Sequence, residues 1–167
     1  QMLITLLRHA DRVKMACLAQ LVNVIAPIMT DPNGGPGWRQ TIFYPFLLAS
    51  RYGRGTALQP LLRSPKVETS GHGAVDAVVA VAVHEPATGA LTLFAANRDL
   101  KNDIPLEATL RGFEQYRVEE MLSLENDDLL AENSAAGEKV RPITRSDAVL
   151  DGGQLQVMLH KASWNVI

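Results

Sequence analysis

The chain has 167 residues, 47% apolar and 20% charged, enough for one hydrophobic core or a core with an appendage. A net charge of −2 gives no electrostatic reason to expect nucleic acid or an anionic membrane as partner. A single cysteine, Cys17, excludes an internal disulfide and a multi-cysteine zinc site, and no uninterrupted apolar run reaches membrane-spanning length.

The opening residues Met2, Leu3, Ile4, Leu6 and Leu7 already follow a helical period with no N-cap before them. Residues 2–10 therefore read as the last turns of a helix, and the chain as the tail of a longer protein. No basic-then-apolar leader opens it, which predicts a cytoplasmic setting. After the short turn at Asp11-Arg12 comes Val13–Pro27, apolar at nearly every position. Such a run suits a strand buried on both faces of a parallel α/β sheet or barrel. Alternation places Val13, Met15, Cys17 and Ala19 on one face, toward a helix layer, and Ala16, Leu18 and Gln20 on the other, toward a barrel axis. Cys17 is then a buried small hydrophobe. Gln20 and Asn23 are the late polar exceptions, at the end of a strand where α/β enzymes place their chemistry.

Residues 28–37 form a Pro- and Gly-rich loop, either a place for substrate contacts or a plain connector. A second helix is expected in 38–52. Pro45 is tolerated only in a first turn, so the regular helix begins near Thr41 to Pro45, with Trp38 to Gln40 as its lead-in. From Gly55 the texture changes to short β-rich runs between turn clusters. The expected strands are 57–62, 75–84, 90–96, 104–110, 116–124, 155–159 and 163–167. The second and third form a hairpin across Glu85-Pro86-Ala87-Thr88-Gly89. Segment 125–139 is acidic and small, the composition of a solvated loop. The fold expected is mainly β: an antiparallel β-sandwich or jelly roll preceded by a helix–strand–helix piece.

Several stretches carry a family resemblance. Arg8-His9-Ala10-Asp11-Arg12-Val13-Lys14 and Cys17-Leu18-Ala19-Gln20-Leu21-Val22-Asn23-Val24-Ile25-Ala26-Pro27-Ile28 are the first two. They continue in Trp38-Arg39-Gln40-Thr41-Ile42-Phe43-Tyr44-Pro45-Phe46, in Ala49–Gly55, in Phe94–Asp99 and in Ser163-Trp164-Asn165-Val166-Ile167. Together they resemble the C-terminal part of the α-L-arabinofuranosidases of glycoside hydrolase family 51. The resemblance implies that residues 1–54 end a (β/α)8 catalytic barrel and residues 55–167 form a C-terminal jelly-roll domain. It implies a retaining, exo-acting hydrolase of terminal α-L-arabinofuranosyl groups in arabinan, arabinoxylan and their oligosaccharides. It also implies no metal or organic cofactor, a partner in the rest of the protein's own barrel, and a homo-oligomer, often a hexamer.

Retaining hydrolysis needs two carboxyl groups about 5–5.5 Å apart. In the family these are glutamates on earlier barrel strands, so both are expected upstream of Gln1, and no catalytic residue is expected within the chain. Glu107, Glu119 and Glu120 read as solvated outer-face charges of the sandwich. Gln20 matches the family glutamine that hydrogen-bonds the arabinofuranose; an amide offers donor and acceptor to a sugar without a charge to desolvate. Against this stands a Gln satisfied by neighbouring side chains. Asn23 and the 28–37 loop are candidates for the pocket rim, as is Trp38, whose plainer reading is helix–loop packing. His9, His72, His84 and His160 share no metal-site spacing. Asn97-Arg98-Asp99 reads as a turn cap and Trp164 as sandwich core. Two other functions compete with the enzymatic one. A carbohydrate-binding sandwich is weakened by an aromatic content of 5%. A structural sandwich that braces a barrel or builds an oligomer is compatible with the first reading.

Overall fold

A computed structural model describes residues 1–167. In chain order the elements are α1 (Met2–Arg8), β1 (Ile28–Met29), β2 (Trp38–Arg39), α2 (Phe43–Tyr52), β3 (Thr56–Leu58), β4 (Lys66–Thr69), β5 (Gly73–Asp76), β6 (Val78–Glu85), β7 (Ala90–Asn97), β8 (Ile104–Thr109), β9 (Leu122–Leu124), β10 (Ile143–Thr144), β11 (Val149–Asp151), β12 (Gln154–Leu159) and β13 (Ser163–Val166). The mainly β class and the antiparallel sandwich agree with expectation. A six-stranded sheet runs β10-β9-β13-β7-β6-β3, a three-stranded sheet runs β11-β12-β8, and β4-β5 is a separate hairpin.

The alternation of β6 explains the layers. Val81 and Val83 face one apolar cluster with Phe94 and Trp164, which Ile4 of α1 and Tyr44 and Leu48 of α2 cover. Val78 and Ala80 face the other, with Leu106 of β8 and Val157 and Leu159 of β12. The six-stranded sheet is therefore apolar on both faces, with helices over one and the smaller sheet over the other. Its central hairpin β6–β7 has the expected loop, where Gly89 takes φ +75° and donates its N–H to Glu85 O at 2.8 Å. Trp164 is buried against Phe94, ring centroids 5.7 Å apart, as core.

Five expectations are corrected. The strand over Val13–Pro27 does not form: 13–21 has no ladder partner, and only an isolated bridge joins Val22 to Ile28. A parallel strand needs hydrogen-bonding neighbours along its edges, and residues 1–167 place none beside it. Cys17 is for the same reason exposed rather than buried. Trp38 and Arg39 are not a helical lead-in but a two-residue strand paired with β1, Met29 opposite Trp38. Pro45 does sit in the first turn of α2. The strand expected over 116–124 shrinks to Leu122–Leu124. Before it, Phe113 and Tyr116 close successive turns and stack edge-on at 5.0 Å, with Phe113 against His84 at 5.2 Å. Segment 125–139 is not simply solvated: Asn133 is buried and Glu138 half-buried, for the reasons given next.

Candidate functional site

Around Gln20 the backbone enters the left-handed region. Gln20, Asn23 and Val24 take φ of +56°, +62° and +53°. Asn tolerates this left-handed region, but a β-branched valine does so at a cost of about 1–3 kcal/mol. Asn23 holds the bend: its N–H donates to Ile28 O at 2.8 Å, and its side-chain Oδ1 accepts from Thr30 N at 2.7 Å. Asn23 Nδ2 donates to Thr30 Oγ1 at 2.7 Å. Gln40 ties the same turn from the other side, through Nε2 to Ala26 O at 2.7 Å and its N–H to Pro27 O at 2.8 Å. Gln20 is exposed, Asn23 half-buried in these bonds, and Trp38 half-buried on β2. Asn23 and Trp38 thus belong to one hydrogen-bonded unit, the 23–27 turn with β1, β2 and Gln40, and Gln20 lies three residues before it.

That unit is held by the segment between β9 and β10. Glu138 accepts from the Arg39 backbone N–H at 3.0 Å, from Nε at 2.8 Å and from Nη2 at 2.9 Å, and also from the Tyr44 hydroxyl. Asn133 Nδ2 donates to Arg39 O at 2.9 Å and Val140 O at 2.8 Å, and its Oδ1 accepts from Val140 N at 2.8 Å. Arg39 therefore has both its N–H and its C=O gripped from a segment about a hundred residues away in sequence. The hydrogen bonds from the Arg39 guanidinium and then from Tyr44 hold the Glu138 carboxyl well below the usual range, at about 2. Tyr44 is pushed up to about 12, first by burial and second by its bond to Glu138. Neither Glu138 nor Asn133 stands out in the sequence. Both lie in a stretch without periodicity, and their partner is remote.

Elsewhere the polar groups serve the sandwich. Glu125 accepts from Ser123 Oγ and pairs with Arg145 at 3.4 Å and with His160 Nδ1 at 2.8 Å. Asn97 caps the 97–102 turn: its Oδ1 accepts from Asp99 N at 2.9 Å, and its Nδ2 donates to Asn102 O at 2.9 Å. Glu107 and Glu119 are exposed. Glu120, also exposed, accepts from the Tyr52 hydroxyl at 2.6 Å. The four histidines stand apart, and no three His, Cys, Asp or Glu side chains converge as metal ligands. A cleft of about 570 Å³ opens between the sheets beside Thr92, Tyr116, Glu120, Leu155 and Ile167; none of Gln20, Asn23 or Trp38 lines it. No helix is long and apolar enough to cross a membrane.

These features define an antiparallel β-sandwich domain, with a helical layer and an interlocked polar turn attached to one side of it. The chain belongs to the family of the α-L-arabinofuranosidase C-terminal domain, which matches residues 1–163. It is 52% identical over 166 residues to a protein of Acetivibrio thermocellus named intracellular exo-α-(1→5)-L-arabinofuranosidase, covering 99% of this chain and 33% of that protein. Identity to an exo-α-(1→6)-L-arabinofuranosidase of Bifidobacterium longum is 42% over 172 residues, covering 99% of this chain and 32% of that protein. Among solved structures, a family 51 α-L-arabinofuranosidase from Bifidobacterium longum superposes with a TM-score of 0.90 at 38% identity, covering 98% of this chain and 32% of that one. The family 51 arabinofuranosidase from Xanthomonas axonopodis pv. citri gives 0.86 at 27%, with the same coverage of 98% and 32%. The chain thus spans about a third of the length of the curated relatives it matches.

Proposed function

We propose that residues 1–167 are the C-terminal part of a retaining, exo-acting α-L-arabinofuranosidase that removes terminal α-L-arabinofuranosyl groups from arabinan, arabinoxylan and arabino-oligosaccharides. The observation that carries this is the 52% identity, across 99% of the chain, to a protein named intracellular exo-α-(1→5)-L-arabinofuranosidase. In this reading residues 1–54 close a catalytic barrel and residues 55–167 are the sandwich domain. The acid/base and nucleophile carboxyl groups come from barrel strands outside 1–167. Gln20 hydrogen-bonds the arabinofuranose, and Asn23 and Trp38 stand at the pocket rim. The chemistry runs on carboxyl groups alone and calls for no metal or organic cofactor. The setting is cytoplasmic, in line with the relatives' names, and the complete protein is a homo-oligomer, by family resemblance a hexamer. The exposed amide of Gln20, beside a bend that Asn23 stabilises, supports its role.

The test uses the complete protein. It should release arabinose from an aryl α-L-arabinofuranoside and from linear α-(1→5)-arabino-oligosaccharides, with the first product retaining the α configuration by NMR. Residues 1–167 alone should release none, because losing a catalytic pair removes orders of magnitude of rate. No release by the complete protein, or turnover by the 167-residue chain, overturns the reading. The 42% identity to an α-(1→6)-specific relative makes that linkage the second substrate to assay.

A further inference from the structure

We propose that Glu138 and Asn133, in the segment joining β9 to β10, are positioning residues for the substrate pocket, acting through Arg39. The proposal rests on the functional reading above, in which Gln20 meets the sugar and Asn23 and Trp38 edge the pocket.

A line of hydrogen bonds runs from Asn23 through the β1–β2 ribbon to the sandwich. Gln20 lies three residues from Asn23, whose backbone and side chain are tied to Ile28 and Thr30 at 2.7–2.8 Å. Ile28 and Met29 pair with Arg39 and Trp38. Arg39 is then fixed at its N–H, C=O and guanidinium by Glu138 and Asn133. Nothing else in residues 1–167 grips the β1–β2 ribbon from the sandwich side as firmly. A two-strand ribbon of two residues per strand is too short to hold its own geometry. Two of Glu138's four incoming bonds come from the Arg39 guanidinium, in the fork geometry that favours one orientation. Asn133 is buried, and its amide oxygen is bonded to Val140 N, so its donor cannot swing away from Arg39 O without breaking that bond. The sandwich thereby sets where Trp38 and the Gln20 turn stand. In a pocket that recognises one sugar, a displacement of about 1 Å can cost up to about a hundredfold in rate.

The test measures steady-state kinetics of the complete enzyme on an aryl α-L-arabinofuranoside. Glu138→Ala should raise KM about tenfold with kcat within about threefold, since it loosens binding geometry and leaves the reacting carboxyl groups in place. Glu138→Gln, which keeps one acceptor oxygen for the Arg39 N–H, should restore part of the loss. Arg39→Ala combined with Glu138→Ala should lose less than the sum of the two single losses, because the guanidinium–carboxylate fork is removed in both. Should Glu138→Ala fail to fold, Glu138→Gln and Asn133→Ser carry the same comparison, each expected to raise KM about threefold. Release of arabinose by wild type with KM unchanged in the folded variants, or additive losses in the double variant, overturns the positioning role alone. Failure of wild type to release arabinose overturns the functional reading first and this one with it.

Discussion

Glu138 and Arg39 lie 99 positions apart and meet in a two-pronged ion pair, Nε to Oε1 at 2.8 Å and Nη2 to Oε2 at 2.9 Å. The Glu138 side chain is 20% exposed and the Arg39 side chain 51%, so solvent screens the pair and weakens it accordingly. Glu138→Gln should cost the complete protein about 1 kcal/mol at pH 7. The sign of its pH dependence follows from a folded pKa near 2 against an ordinary 4.5. A lowered folded pKa stabilises above the unfolded value and is lost as pH falls toward the folded one. The gap between wild type and variant in urea denaturation should therefore be full above about pH 4.5 and shrink as pH falls toward 2. A gap that is constant from pH 7 to 3 would show that the pair does not carry the effect.

Gly55 joins α2 to β3 at φ +123°, and a Cβ there would stand 2.2 Å from His84 O. That atom is β6 backbone and cannot move aside. Gly55→Ala should lower stability by about 2 kcal/mol or more, from strain and steric overlap together. Gly71, in the β4–β5 turn with open space around it, is the control: Gly71→Ala should change stability by less than about 0.5 kcal/mol. Thermal melts of both variants decide, and equal melting temperatures would contradict the geometry.

Phe94 is fully buried between the six-stranded sheet and the helices. Phe94→Ala should cost about 3–5 kcal/mol, the transfer free energy plus the cavity left beside Trp164. A loss below about 1 kcal/mol would mean that α1 and α2 close over the space, and that their packing is looser than it stands here.

Gln20→Ala in the complete enzyme separates binding from packing. Gln20 is exposed here, so its removal should leave the melting temperature within about 2 °C. Losing its bond to sugar should lower kcat/KM about tenfold. Unchanged kinetics with a lowered melting temperature would make it a packing residue.

The sandwich was legible because its strands are patterned locally. Val78–Glu85 and Ala90–Asn97 are short, nearly continuous apolar runs, and Glu85–Gly89 spells their turn. Trp164 could be placed in the core on the same grounds. The β4–β5 hairpin and the short β10 and β11 carried too few apolar residues to be seen. Val13–Ile25 was patterned for burial, but pattern reports what a segment needs, not whether its neighbours are there. The Glu138–Arg39 clamp was invisible because a polar pair at long range leaves no period in the sequence. Gln20 stands out as a polar break in an apolar run and its sugar-binding role rests on resemblance, whereas the left-handed turn around it is seen only in the backbone.

The state of the 167-residue chain by itself follows from what it exposes. Met15 is 82% exposed, Leu21 72% and Val24 80%, along a segment whose only ladder contact is the Val22–Ile28 bridge. Unpaired strand edges recruit partners, and each such side chain gains about 1.5–3 kcal/mol when covered. The sandwich cannot supply that cover, since both faces of its larger sheet are already occupied by the helices and the smaller sheet. Residues 1–167 expressed alone should therefore self-associate, and light scattering after size exclusion should give masses well above 18.2 kDa. Charged replacements at Met15, Leu21 and Val24 together should shift the population toward monomer. A monodisperse 18.2 kDa particle with residues 13–25 protected from hydrogen exchange would mean that the segment finds cover within its own chain.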